Sequence, residues 1–167
     1  MEEKLVKVDH SALRTNQIVI ITLNVAAFVL NLPALALLVG LVMLAGTAFK
    51  VPGFGFLYRY ALKPAGLVKP DVLLDNAEPH RFAQGLGSVF MLAGAAALCG
   101  GITALGWGLV WLVAALAALN AFAGFCVGCM VYYWLSRVKA PGFAKNPPGG
   151  DFPGMRPPGA NQVKHDA

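Results

Sequence analysis

Polar residues in this chain gather in clusters, and between the clusters run four apolar stretches, 17–30, 32–47, 82–100 and 107–134. Only Asn31 separates the first two. Pro33 follows at once and suits the first position of a helix, where its missing N–H is no loss. This abrupt join predicts a tight helical hairpin whose arms carry about 15–18 apolar residues each, the lower limit for crossing a bilayer. Gly100, Gly101 and Gly106 mark the turn of a second hairpin. Trp107 and Trp111 open the last stretch, and Tyr132, Tyr133 and Trp134 close it. At about 1.5 Å per residue it would span about 40 Å. That is the depth of a bilayer with its headgroup zones, with aromatic residues at both interfaces. The pattern predicts an all-α polytopic membrane protein with four transmembrane helices, at about 17–30, 32–49, 82–100 and 105–135. These form one domain over 1–137, with a cytoplasmic or interfacial loop at 50–81. Beyond 138, a stretch rich in proline and glycine reads as a disordered tail.

Composition agrees with the pattern. The chain has 167 residues, 57% of them hydrophobic and 13% charged, against about 25% charged in soluble domains. The net charge of +5 does not point to nucleic acid, because the charges lie between and after the apolar stretches, where juxtamembrane charge belongs. The first stretch lacks an Ala-x-Ala-like exit, which argues against a cleaved signal peptide. Neither hairpin tip carries a charge. Lys and Arg fall before the first helix, in the central loop and after the last helix. By the positive-inside rule both termini and the central loop are expected in the cytoplasm, for a multi-pass protein of the cell's inner, cytoplasmic membrane. Within the central loop, Phe54, Phe56, Tyr58 and Tyr60 alternate with Arg59 and Lys63, which suits a segment lying on the membrane surface.

Candidate chemistry converges on that same face. Cys126 and Cys129 stand three apart in Gly124-Phe125-Cys126-Val127-Gly128-Cys129. On a continuous helix they share a face with Cβ atoms about 5–6 Å apart, so a disulfide needs local rewinding. Gly124 and Gly128 could permit it, and they also form a Gly-x-x-x-Gly contact stripe. Packing as two small hydrophobes is the plain alternative. The segment from Asp75 to Gln84 is the densest polar cluster. Asp75, Asn76 and Glu78 suit a helix start, and Arg81 suits a headgroup anchor. His80 and Arg81 are the candidates to assist a thiol. Arg14, Asn16 and Gln17 lead into the first helix on the same face, and Gln84 enters the third. Together these eleven residues form the candidate site, with Cys126, Cys129, His80 and Arg81 in the reactive role. The other seven are expected to bind or to cap. Asn24 and Asn120, deeper in the bundle, suit interhelical hydrogen bonds. Cys99 falls across the membrane from the pair and reads as packing. No metal site and no cofactor is expected.

Three strings carry a resemblance: the stretch from Asp9, itself suited to cap the first helix, through Leu13-Arg14-Thr15-Asn16-Gln17; Asp75-Asn76-x-Glu78-Pro79-His80-Arg81-Phe82-Ala83-Gln84; and Cys126-x-Gly128-Cys129. Over about Val8 to Arg137 the chain resembles a bacterial integral-membrane family called domain of unknown function 4395. The resemblance implies a membrane fold and assigns no catalytic residues. It also implies an association with thioredoxin-like and sulfur-transfer proteins. Three functions follow as expectations: a thiol-redox or sulfur-relay component, a non-catalytic subunit or assembly factor of a larger membrane complex, and a small-solute or sulfur-anion carrier.

Overall fold

The computed structural model describes residues 5–138, 143, 147 and 152–157. The elements run β1 (Val6–Asp9), α1 (His10–Val29), α2 (Pro33–Ala48), α3 (Gly55–Leu57), a π turn (Tyr58–Leu62), β2 (Val72–Asp75), α4 (Ala77–Cys99), α5 (Thr103–Ala123) and α6 (Val127–Arg137). Among the described residues the architecture is a helical bundle. α1 lies against α2 and α5, and α4 lies against α2, α5 and α6. The core between them is apolar and includes Ile20, Ala27, Val39, Met43, Met91, Val110 and Val113, all buried.

Three helices, α1, α4 and α5, are long and apolar enough to cross a membrane. At most 33% of any of these spans is buried inside the protein, so most of their apolar surface faces outward, as lipid contact requires. The expectation of four spans in two hairpins turns on α2. Its 16 residues reach about 24 Å, short of a hydrocarbon core about 30 Å thick. α2 is nonetheless lipid-like on its outer side, with Leu37, Leu38, Leu41 and Leu44 exposed.

Helix starts fall upstream of the apolar stretches, because polar residues form the first turns. α1 begins at His10 rather than at 17, with Asp9 as N-cap accepting the Ser11 N–H at 3.0 Å. α4 begins at Ala77 rather than at 82, with Asn76 as N-cap accepting the Glu78 N–H at 3.0 Å. Each side-chain oxygen satisfies a donor the helix leaves unpaired. The loop expected at 50–81 is more structured than its composition announces. β2 pairs antiparallel with β1, Val6 opposite Asp75 and Asp9 opposite Val72. This short ribbon fixes the starts of α1 and α4 side by side. α3 and the π turn seat Phe54 and Tyr58 in the interior, 8% and 3% exposed. Tyr58 donates from its hydroxyl to Asp9 Oδ2 at 2.9 Å.

The largest correction concerns the fourth apolar stretch. It is not one helix over 105–135 but two, α5 and α6, broken at 124–126. Gly124 takes a left-handed backbone, φ +66°, and its N–H closes α5 on the Asn120 carbonyl at 3.1 Å. Glycine adopts this conformation without a Cβ penalty, which is why helices end there. Gly124 is therefore a helix cap and not half of a helix-contact stripe. Gly128 alone makes the close approach, with its Cα side directed onto Ala83 of α4. Most of the expected tail, 138–167, lies outside the described residues. Within it, Met155 bridges antiparallel to Phe125, Cys126 N–H donates to the Gly154 carbonyl at 2.8 Å, and Arg156 N–H donates to the Gly124 carbonyl at 3.0 Å. Arg156 also pairs with Asp71. Cys99 ends α4 as a free, exposed thiol.

Candidate functional site

The break in the fourth stretch decides the geometry of the cysteines. Cys126 has an extended backbone and is the N-cap of α6, while Cys129 lies in its first turn. Their Cα atoms are 5.2 Å apart and the two are joined as a disulfide. No rewinding of a continuous helix is needed, because the chain enters α6 at this point. The Cys129 N–H points at Cys126 Sγ, 3.2 Å away. A helix N-terminus directs unpaired N–H groups and positive potential at its cap, and negative charge on sulfur there is stabilised. Both sulfurs are largely covered, with Cys126 5% and Cys129 3% exposed.

α4 brings His80 to the pair. Its Nδ1 is 3.5 Å from Cys129 Sγ, and its Nε2 is 2.9 Å from Asp75 Oδ2. Asp75 ends β2, is buried, and accepts the Asn76 N–H at 2.7 Å. His10, from the first turn of α1, brings its Nε2 within 3.1 Å of the same carboxylate oxygen. The distance fits an ion pair, but the ring N–H is not directed well enough for a hydrogen bond, so His10 acts chiefly as an electrostatic neighbour. The two imidazoles meet edge to face, 5.7 Å between centres. Burial by itself would raise the Asp75 pKa. The contacts from His10, His80 and the Asn76 N–H outweigh it and hold the carboxyl well below the usual carboxylate range. The outcome is a chain of groups running from sulfur to imidazole to a buried carboxylate whose charged form is favoured.

Of the remaining candidates, several are committed to holding the fold. Gln84 donates to the Met43 and Val51 carbonyls at 3.0 and 3.2 Å and accepts the Gly53 N–H at 3.2 Å. Asn16 accepts the Phe54 N–H at 2.8 Å. Both side chains satisfy the loop after α2 and are structural. Asn76 is the α4 cap, and Glu78 accepts the Tyr132 hydroxyl at 2.7 Å, tying α4 to α6. Arg81 keeps a buried Nε with no partner among the described residues. Arg14 and Gln17 line the cavity beside the cysteines. Asn24 donates to the Met91 sulfur at 3.6 Å rather than to another asparagine. His10 belongs to the polar Asp9–Gln17 cluster but has no site role by sequence, and the 154–156 segment has none either. His10 adjoins the Asp9 cap and shows no signal beyond that. The later segment lies in the Pro/Gly-rich stretch expected to be a disordered tail.

Two cavities flank the disulfide. The larger, about 340 Å³, is bordered by His10, Arg14, Asn76, Cys129, Tyr133 and Arg156. The smaller, about 140 Å³, lies between α1, α4, α5 and α6, among Ile20, Met43, Phe90, Val113, Leu116 and Val131. Cys126, His80, Leu13, Gln17 and Asn120 border both. Two donor sets are compact enough to hold a metal ion: His80, Cys126 and Cys129, and His10, Asp75 and His80, each with its ligand atoms within 4.8 Å of one another. The first would require the disulfide to open, because the thiolate is the ligand form.

The chain belongs to the family described as Domain of unknown function (DUF4395), whose model matches residues 8–137. That span contains all the helices and the cluster of His10, Asp75, His80, Cys126 and Cys129, but not the 154–156 segment. No curated protein and no solved structure matches the chain.

Proposed function

We propose that this membrane protein carries out thiol–disulfide exchange through Cys126 and Cys129, with His80 as proton donor and acceptor and Asp75 as the group that positions it. The observation that carries this reading is the contact chain Cys129 Sγ–His80 Nδ1 (3.5 Å) and His80 Nε2–Asp75 Oδ2 (2.9 Å), beside a disulfide at a helix N-terminus. A substrate thiolate enters the larger cavity and attacks Cys126 Sγ. The S–S bond breaks and Cys129 leaves as a thiolate, taking a proton from His80 Nδ1. The Asp75 carboxylate stabilises the imidazolium before the transfer and fixes the tautomer after it. A second substrate thiol attacks the mixed disulfide and releases Cys126, whose charge rests on the α6 N-terminus. The substrate dithiol becomes a disulfide and the pair becomes a dithiol. The same steps run in reverse for a substrate of lower potential.

By the positive-inside distribution of Lys and Arg, the site faces the cytoplasm of the inner membrane, where a thioredoxin-like protein is a fitting partner. The test is the rate at which the purified protein's reduced pair exchanges with glutathione disulfide, followed by mass spectrometry of trapped thiols. Cys126→Ser and Cys129→Ser should abolish formation of the pair's disulfide. His80→Asn should slow exchange about 10²-fold or more, the usual scale for a positioned acid–base group. Equal rates for His80→Asn and the unaltered protein at every pH would refute the assignment.

A further inference from the structure

The two cavities share Cys126 in their linings but differ in character. The larger is bordered by histidine, arginine and asparagine side chains near the β1–β2 ribbon. The smaller is mainly apolar and lies among the candidate membrane spans α1, α4 and α5 together with α6. Leu86 on its border is exposed on the outer side of α4, so a hydrophobic molecule can reach it from lipid without crossing water. Its volume, about 140 Å³, suits one six-membered ring, since an apolar cavity of about 150 Å³ takes up benzene. Its mainly apolar lining includes Asn16, Gln84 and His80, which the fold already engages, and the amides of Gln17 and Asn120, groups able to donate hydrogen bonds to ring carbonyl oxygens. A cavity of one ring's size with amide donors and a disulfide cysteine among its lining residues fits a lipid-soluble quinone better than an acyl chain, which offers those amides no acceptor.

We propose that the smaller cavity binds the head of a membrane quinone and that the quinone reoxidises the Cys126–Cys129 dithiol. The inference rests on the exchange reading above and names its electron acceptor. The balance is one quinone and one dithiol giving one quinol and one disulfide. The two thiol S–H bonds break, the S–S bond forms, and two electrons and two protons pass to the quinone oxygens. His80, which borders both cavities and contacts Cys129, is placed to take the Cys129 proton as the second sulfur closes the bond.

The experiment uses the full chain in detergent, reduced, freed of reductant and held under anaerobic conditions. Decylubiquinone is added in one arm and glutathione disulfide in the other. Quinol is followed by absorbance and the pair by thiol trapping. The expected result is one quinol per pair, formed at a rate that saturates with quinone. Ala117→Phe, which fills the cavity, should lower that rate at least 10-fold. Ala117→Leu should give an intermediate value, and thermal melting should show both variants folded. Reoxidation by glutathione disulfide but not by decylubiquinone overturns this inference and leaves the exchange reading standing. A quinone rate that does not saturate, or is unchanged in folded Ala117→Phe, overturns it as well. A pair inert to both oxidants overturns the exchange reading with it.

Discussion

Gly128 is the tightest joint between the helix that carries the cysteines and the helix that carries His80. A Cβ placed on Gly128 would come 2.5 Å from Ala83 Cβ and 2.8 Å from Ala83 Cα. Ordinary contacts begin near 3.4 Å, so Gly128→Ala must part α6 from α4 by about 0.9 Å at this point. Part of the obstruction is backbone, which cannot rotate out of the way. Close-packed interiors resist such insertion at a cost of about 1–3 kcal/mol. The separation passes directly to the site, because Cys129 follows Gly128 and His80 stands one helical turn before Ala83. A 3.5 Å sulfur–imidazole contact lengthened by that amount loses the proton path, and misplacement by about 1 Å can cost about 10²-fold in rate. Gly128→Ala should therefore lower the melting temperature in detergent and slow exchange with glutathione disulfide by one to two orders of magnitude. Adding Ala83→Gly removes one obstructing carbon and leaves the other, so recovery should be partial. A Gly128→Ala protein that melts and exchanges like the unaltered protein would refute the packing argument. A lowered melting point with unchanged exchange would separate His80 from the chemistry.

Two further predictions address the surroundings of the site. Burial, followed by the hydrogen bond to Asp9 and its charge, pushes the Tyr58 hydroxyl up to about 12. Unfolded tyrosine releases its proton near 10, so the folded state should lose this contribution as pH rises from about 10 through 12. Tyr58→Phe should flatten that alkaline limb in melting curves recorded from pH 8 to 12, and should cost about 1 kcal/mol at neutral pH; an unchanged limb would reject the assignment. Gly154 has φ +88°, and a Cβ there would meet the Cys126 carbonyl at 2.7 Å, so Gly154→Ala should lift the 154–156 segment from the disulfide. Alkylation of the reduced cysteines by iodoacetamide should then quicken several-fold, and an unaltered rate would show that the segment does not cover them.

Much of the bundle is legible in the chain because lipid demands it. A span must be apolar along its whole length, and its polar ends must be capped, so the apolar stretches locate α1, α2, α4 and α5 and the flanking Asp9 and Asn76 locate two caps. The polar clusters converge as expected, and His80 does reach Cys129. The break at Gly124 is not legible by the same rule, because apolarity continues through 124–126 and a continuous helix satisfies the pattern equally well. The decisive quantity there is one positive φ, which a glycine in a glycine-rich membrane stretch does not advertise. The β1–β2 ribbon is hidden for a different reason: four-residue strands leave almost no periodicity. Gln84 and Asn16 show a third limit. Their amides suit ligand binding or backbone satisfaction equally, and only the positions of the Gly53 and Phe54 N–H groups decide for the second.

The broken helix and the segment over it belong to one arrangement. Interrupting a helix at membrane depth leaves N–H and C=O groups without partners, and such breaks persist where other protein groups supply them. Here the Cys126 N–H is taken by the Gly154 carbonyl, the Gly124 carbonyl by the Arg156 N–H, and the Cys129 N–H by Cys126 sulfur. α6, which starts anew after the break, packs against α4, and Cys129 in its first turn lies 3.5 Å from His80 Nδ1. The break also places Cys126, with Leu13, Gln17, His80 and Asn120, in the wall shared by the larger cavity and the smaller, mainly apolar one. Asp75 holds His80 beside the pair and also accepts the Asn76 N–H, so it serves the start of α4 as well. The expense of the break and the buried charge is understandable if the sulfurs change state.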